Sequence, residues 1–201
     1  MITFDPATHT YYNGGQKWPS VTQLLPNQNG LRFLSERRLL ELSTDGKTNH
    51  AAVANMMETG ETFSDPYLEG IKKELSKYKN VTGNFRGSES IVWSERNEYA
   101  GTLDLLYDRS IIDVKRTLGN KKIHALQLIA YMFAAEEMGM IRQTENLFVI
   151  TGKETGKAKL VNVYDRDAEN MFALCLRRHK EKDINIINDI DETITRYLKQ
   201  K

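Results

Sequence analysis

The segments Gly101-Thr102-Leu103-Asp104-Leu105-Leu106-Tyr107 and Ser110-Ile111-Ile112-Asp113-Val114-Lys115 set two acids and a lysine inside runs otherwise rich in Leu and Ile. If Asp108-Arg109 is a two-residue loop, Tyr107 pairs with Ser110, Leu106 with Ile111, Leu105 with Ile112 and Asp104 with Asp113. Cross-strand partners of this kind lie about 4.5–5.5 Å apart at Cβ. Two opposed carboxylates repel, and the arrangement becomes reasonable when a cation lies between them. Alternation puts Asp113 and Lys115 on one face, roughly 7 Å apart. Two carboxylates are a minimal hard-oxygen site for Mg²⁺ or Mn²⁺, ions that keep open positions for water and phosphate. A neighbouring lysine can stabilise phosphate charge and orient or deprotonate an attacking water. The chemistry this pattern predicts is metal-assisted hydrolysis of a phosphodiester. Asp108-Arg109 lacks the glycine that a tight primed turn prefers, and a one-residue slip would send one acid to the opposite face.

Other elements must hold these strands. His9 to Gly15 reads as a hairpin with an Asn-Gly turn. Pro19-Ser20-Val21-Thr22 opens a short helix with Ser20 as N-cap. Apolar periodicity predicts helices over 31–43, 47–58 and 66–79. Strands follow at 91–93, 101–107 and 110–114, then a helix over 122–139. Strands at 147–150 and 160–163 precede helices over 166–182 and 189–198. This order predicts a layered α/β (α+β) domain. The organisation expected is one domain over 1–201. A mainly helical part (1–86) precedes a catalytic sheet with its helix (87–165) and C-terminal helices (166–201). On the helix after the sheet, Gln127 and Tyr131 are i, i+4 neighbours on one face, with His124 a turn before.

Composition narrows the classes. The 201 residues are 40% hydrophobic and 27% charged, with a formal net charge of +1. That supports a packed core and gives no overall basic signature for nucleic acid. The single cysteine, Cys175, excludes a disulfide framework, a four-cysteine zinc site and a four-cysteine iron–sulfur cluster. No apolar run reaches membrane-spanning length, and the N-terminus reads as neither signal nor transit peptide. The expectation is a cytoplasmic protein without membrane contact. The loop 115–122 is basic, and its place after the lysine strand makes Arg116, Lys121 and Lys122 candidates for phosphate contact. Arg32, Arg37 and Arg38 are weaker candidates. Trp18 and Trp93 read as core aromatics, and Arg177 to Lys180 as a solvated helix face.

Three segments together resemble the core motifs of the PD-(D/E)XK nucleases, in their RecB-like and phage-exonuclease branch. These are Gly-Thr-Leu-Asp at 101–104, Asp-Val-Lys at 113–115 and Gln-Leu-Ile-Ala-Tyr at 127–131. They match G-x-x-D, D/E-x-K and Q-x-x-x-Y, in that order. The opening Tyr11 to Leu25 is also similar to the start of phage and prophage members. The resemblance implies a restriction-endonuclease-like mixed sheet of four to five strands flanked by helices, with an N-terminal helical region closing one side of a cleft. It implies Asp104 and Asp113 as metal ligands, with the Val114 carbonyl completing the shell and Lys115 as the catalytic lysine. Gln127 and Tyr131 would line the site and position the strand. An upstream ligand is implied as well: His50, within Gly46-Lys47-Thr48-Asn49-His50, or Glu89. The implied activity is a Mg²⁺- or Mn²⁺-dependent DNA exonuclease of a phage, prophage or recombination setting. Its substrate would be single- or double-stranded DNA. A separate annealing protein or helicase and a homo-oligomeric state are compatible with it. Alternatives are a structure-specific endonuclease of the same fold and a catalytically weak DNA-binding module.

Overall fold

The computed structural model describes residues 1–26, 36–62, 64–152 and 157–200. The chain opens with a three-stranded antiparallel sheet, β1 (Ile2–Asp5), β2 (Thr10–Asn13) and β3 (Gln16–Trp18). The Asn13-Gly14-Gly15 turn joins β2 and β3 as the sequence predicts, but β1 is not predicted. Ser20 caps the short α1 (Val21–Leu24) through a full capping box with Gln23. Helix α2 (Glu36–Thr59) then runs without a break through Gly46, where two helices are expected. Arg32 lies outside the described residues, as do the side chains of Arg37 and Arg38. Asp65 caps α3 (Pro66–Lys77) by accepting from the Tyr67 N–H at 2.8 Å, with Pro66 in the first turn. A turn of helix, α4 (Lys79–Thr82), leads into the main sheet.

That sheet has five strands in the order β4 (Phe85–Ser94), β5 (Tyr99–Tyr107), β6 (Ser110–Val114), β7 (Asn146–Thr151) and β8 (Lys159–Asn162). The β4/β5, β5/β6 and β7/β8 pairs are antiparallel. β6 and β7 run parallel, joined by the crossover helix α5 (Lys121–Glu137), as parallel neighbours require. Helices α6 (Arg166–Lys180) and α7 (Ile184–Lys199) complete the chain. A mixed five-stranded sheet flanked by helices is the fold class expected.

Two cores lie on the two faces of this sheet. On one face Leu103, Leu106, Ile111, Leu147 and Val149 pack against α5, with Phe172, Ile190 and Ile194 from α6 and α7 behind it. α5 is buried almost all round, as a helix at the centre of a core must be. On the other face Leu105, Ile112, Val114, Phe148 and Ile150 meet Val53 and Met56 of α2 and Leu68, Ile71 and Leu75 of α3. Trp18 is buried and Trp93 half-buried. Arg177 to Lys180 are exposed, as expected, and Arg178 pairs with Asp191. Among the described residues no helix is long and apolar enough to cross a membrane.

Candidate metal centre

The β5–β6 hairpin has the predicted register, Leu105 opposite Ile112 and Leu106 opposite Ile111. Its turn needs no glycine because its neighbours hold it. The Asp108 carboxylate accepts from the backbone N–H of Asn84 at 3.0 Å and from its side chain at 2.9 Å, and pairs with Arg86. The Arg109 carbonyl accepts from the N–H of Glu145 at 2.9 Å. The ladder stops at Leu105↔Ile112. Beyond it the Val114 N–H donates to Asp104 Oδ2 at 2.6 Å. A carboxylate thus takes the place of a strand carbonyl, and the strands part where the two acids stand.

Asp104 meets residues from two other elements. His50 of α2 brings Nδ1 to 3.2 Å from Asp104 Oδ1. Glu89 of β4 lies in line with Asp104 across the β4/β5 ladder, between the Ser88↔Leu105 and Ser90↔Leu103 pairs. Ligand atoms of His50, Glu89 and Asp104 all lie within 4.8 Å of one another. Both upstream candidates therefore converge on one spot. Glu89 does so with φ 45°, a left-handed conformation that costs a non-glycine residue about 1–2 kcal/mol.

Asp113 is not part of that group of three. It is 2% exposed, and Lys115 Nζ lies 2.9 Å from its Oδ1 and 2.8 Å from its Oδ2. The expected pair of acids is thus split: Asp104 turns to His50 and Glu89, and Asp113 to Lys115. The charges still act on one another. Burial pushes the Asp113 carboxyl up to about 6, against the pull of Lys115 and with the push of Asp104. Burial would also raise Asp104, but the His50 hydrogen bond and charge outweigh it and hold that carboxyl below its usual range. Burial would lower His50, yet Asp104 lifts it above its ordinary value. Lys115 is likewise raised, since Asp113 and Asp104 overcome its burial. Burial and the Asp104 charge raise Glu89.

The helix motif faces the same place. Gln127 Nε2 donates to the Tyr131 hydroxyl at 3.1 Å. Tyr131 is 5% exposed, and burial together with Asp113 raises its phenol well above the usual range. Gly101 explains its own position. A Cβ there would come within 2.6 Å of Tyr131 Cε1 and 3.0 Å of Val21 Cγ2, so only glycine lets the ring lie against β5.

The basic loop divides. Arg116 and Lys121 are exposed. Lys122 is half-buried and turned toward α7, with Nζ 4.1 Å over the Tyr197 ring, 3.1 Å from Gln200 Oε1 and 3.6 Å from Asp165. Sequence reasoning missed the N-terminal sheet's part in the site. Tyr11 bonds Thr102, two residues before Asp104, hydroxyl to hydroxyl at 2.8 Å. No local signal marks a contact that spans 91 positions.

No family model and no curated protein matches the chain. Among solved structures it is similar to an alkaline exonuclease (LHK-Exo) from Laribacter hongkongensis. The match has 10% identity, covers 75% of this chain and 82% of that one, and has a TM-score of 0.33.

Proposed function

We infer that this chain is a single-domain, divalent-metal-dependent nuclease that hydrolyses DNA phosphodiester bonds, acting as an exonuclease. One observation carries the reading: His50, Glu89 and Asp104 place ligand atoms within 4.8 Å of one another, beside an Asp113–Lys115 pair. A half-buried lysine paired with a buried carboxylate, next to a candidate cation cluster, is the equipment for phosphodiester hydrolysis.

The donor set fits Mg²⁺ or Mn²⁺: carboxylate oxygens with one imidazole, whose nitrogen favours Mn²⁺. Asp104, His50 and Glu89 would hold the ion, with Asp113 and the Val114 carbonyl completing its shell. Bound there, it supplies Lewis acidity to the scissile phosphate. The remaining work belongs to the chain. Lys115 orients the attacking water and stabilises charge on the phosphate oxygens. The Tyr131 hydroxyl, fixed by Gln127, positions the strand. Arg116 and Lys121, exposed just after the lysine strand, would contact neighbouring phosphates, and Lys122 is held by Asp165, Tyr197 and Gln200.

The test uses end-labelled linear single- and double-stranded DNA and closed circles, in Mg²⁺, Mn²⁺ or EDTA, with Asp113→Ala alongside. Metal-dependent loss of linear DNA, absent in the variant, is the expected result. Equal cutting of circles would make the protein an endonuclease. Binding without cleavage in either metal would reduce it to a DNA-binding module.

A further inference from the structure

We propose that the cavity beside the cation cluster receives one unpaired nucleobase, stacked on a wall made by Phe4, Pro6 and His9. The proposal rests on the nuclease reading and specifies its substrate as a strand with an unpaired nucleotide at the cut site. The cavity has a volume of about 330 Å³, and His50, Glu89 and Thr102 line it opposite that wall. This is near the lower end of the roughly 300–1,000 Å³ range of ligand pockets, room for one nucleoside and not for a base pair. No lysine or arginine lines it, while the Glu89 carboxylate does. A phosphate is therefore disfavoured inside it and a neutral ring is not.

The wall is built rather than incidental. The Phe4 ring stacks on Tyr11 with centroids 4.9 Å apart, and His9 meets Phe4 edge-on at 5.1 Å. The Tyr11–Thr102 bond ties this group to β5, so wall and cation cluster share one strand as their base. His9 and Pro6 remain exposed and Phe4 half-exposed. Four non-glycine residues among those described have positive φ, and two of them, His9 at 50° and Glu89 at 45°, line this cavity. Such strain gathers where a site holds side chains against local preference. Aromatic faces beside a cation-held phosphate give stacking that any base can use.

The test uses short single-stranded oligonucleotides carrying one 2-aminopurine, moved position by position, bound in Ca²⁺. The wild-type protein quenches the fluorophore at one position. His9→Gly suits the left-handed backbone and removes the ring. It loses that quench and binds the strand roughly 5- to 100-fold more weakly, while Mn²⁺ binding by calorimetry is unchanged. Phe4→Leu, which keeps apolar bulk in the N-terminal sheet, shifts both readouts the same way. An abasic residue at the quenched position weakens the wild type and leaves His9→Gly unaffected. If His9→Gly keeps the quench and the abasic effect, the stacking wall is refuted and the nuclease reading stands. If the wild type neither binds nor cuts any strand, the nuclease reading falls and this proposal falls with it.

Discussion

His50 and His124 flank the same β5–β6 region and are driven in opposite directions. His124 begins α5. Burial, with the charge of Lys115, pushes its imidazole down to about 4, so it stays neutral and bonds the Leu118 carbonyl through Nε2. His50 is also partly buried, yet Asp104 raises it above its ordinary value. Burial decides the state of His124, whereas a carboxylate partner decides that of His50. On β5 itself, Gly101 and Leu103 serve the packed face, while Thr102 and Asp104 serve the charged one. Beside Asp104 on the charged side, Glu89 of β4 takes a left-handed backbone, a departure from local preference of the kind expected where a fold gives up regularity for a site.

The largest effect should come from Asp104→Asn. It keeps the side-chain shape and removes the charge that pairs with His50 and, with Glu89, would draw the cation. Cleavage of labelled linear DNA should fall at least about 100-fold, and Mn²⁺ affinity should drop with it. A rate within a few-fold of wild type would mean that the charged face is not where catalysis occurs.

His124 sharpens the other half of the contrast. Its folded pKa lies below its unfolded one, so between about pH 6.5 and 4 the unfolded chain binds a proton that the folded chain refuses. Stability therefore falls as pH drops through that window, by at most about 1.36 kcal/mol per unit from this group. Below about 4 its contribution levels off. Urea unfolding of wild type and His124→Gln at several pH values isolates this contribution. Equal slopes would show that His124 is not held neutral.

Gly101→Ala probes packing directly. The new Cβ must displace the Tyr131 ring or β5, and overpacking of this kind costs about 1–3 kcal/mol. Tyr131→Leu in the same chain should recover part of the loss, a coupling visible only if the two positions touch. Additive effects in the double variant would contradict the close approach.

Much of the packed face could be read from the chain. β5, β6 and α5 announce themselves because they are apolar runs buried almost throughout. The Gly101, Asp104, Asp113 and Gln127 positions came from the same segments. The charged face was harder to read, for physical reasons. β4 begins at Phe85, well before the predicted 91–93, because Arg86, Gly87, Ser88 and Glu89 carry no strand pattern and owe their conformation to pairing with β5. α2 continues through Gly46 although glycine costs a helix about 0.5–1 kcal/mol. Whether His50, Glu89 or both would reach Asp104 depends on how α2 and β4 pack on β5, which no local spacing encodes.

The smallest effect separates strain from function most cleanly. Glu89 and Glu98 both have left-handed backbones, with φ 45° and 58°. Glycine removes the steric penalty of about 1–2 kcal/mol but returns part of it through a more flexible unfolded chain. Each Glu→Gly change should therefore raise stability by no more than about 1 kcal/mol in urea unfolding. The two diverge on the cation. Glu98 sits in the exposed β4–β5 turn, and Glu98→Gly should leave Mn²⁺ binding untouched. Glu89→Gly removes a candidate ligand, so it should weaken Mn²⁺ binding while the cation-free protein becomes no less stable. A Glu89→Gly protein that is markedly destabilised, with Mn²⁺ affinity intact, would mean that Glu89 serves the fold and not the site.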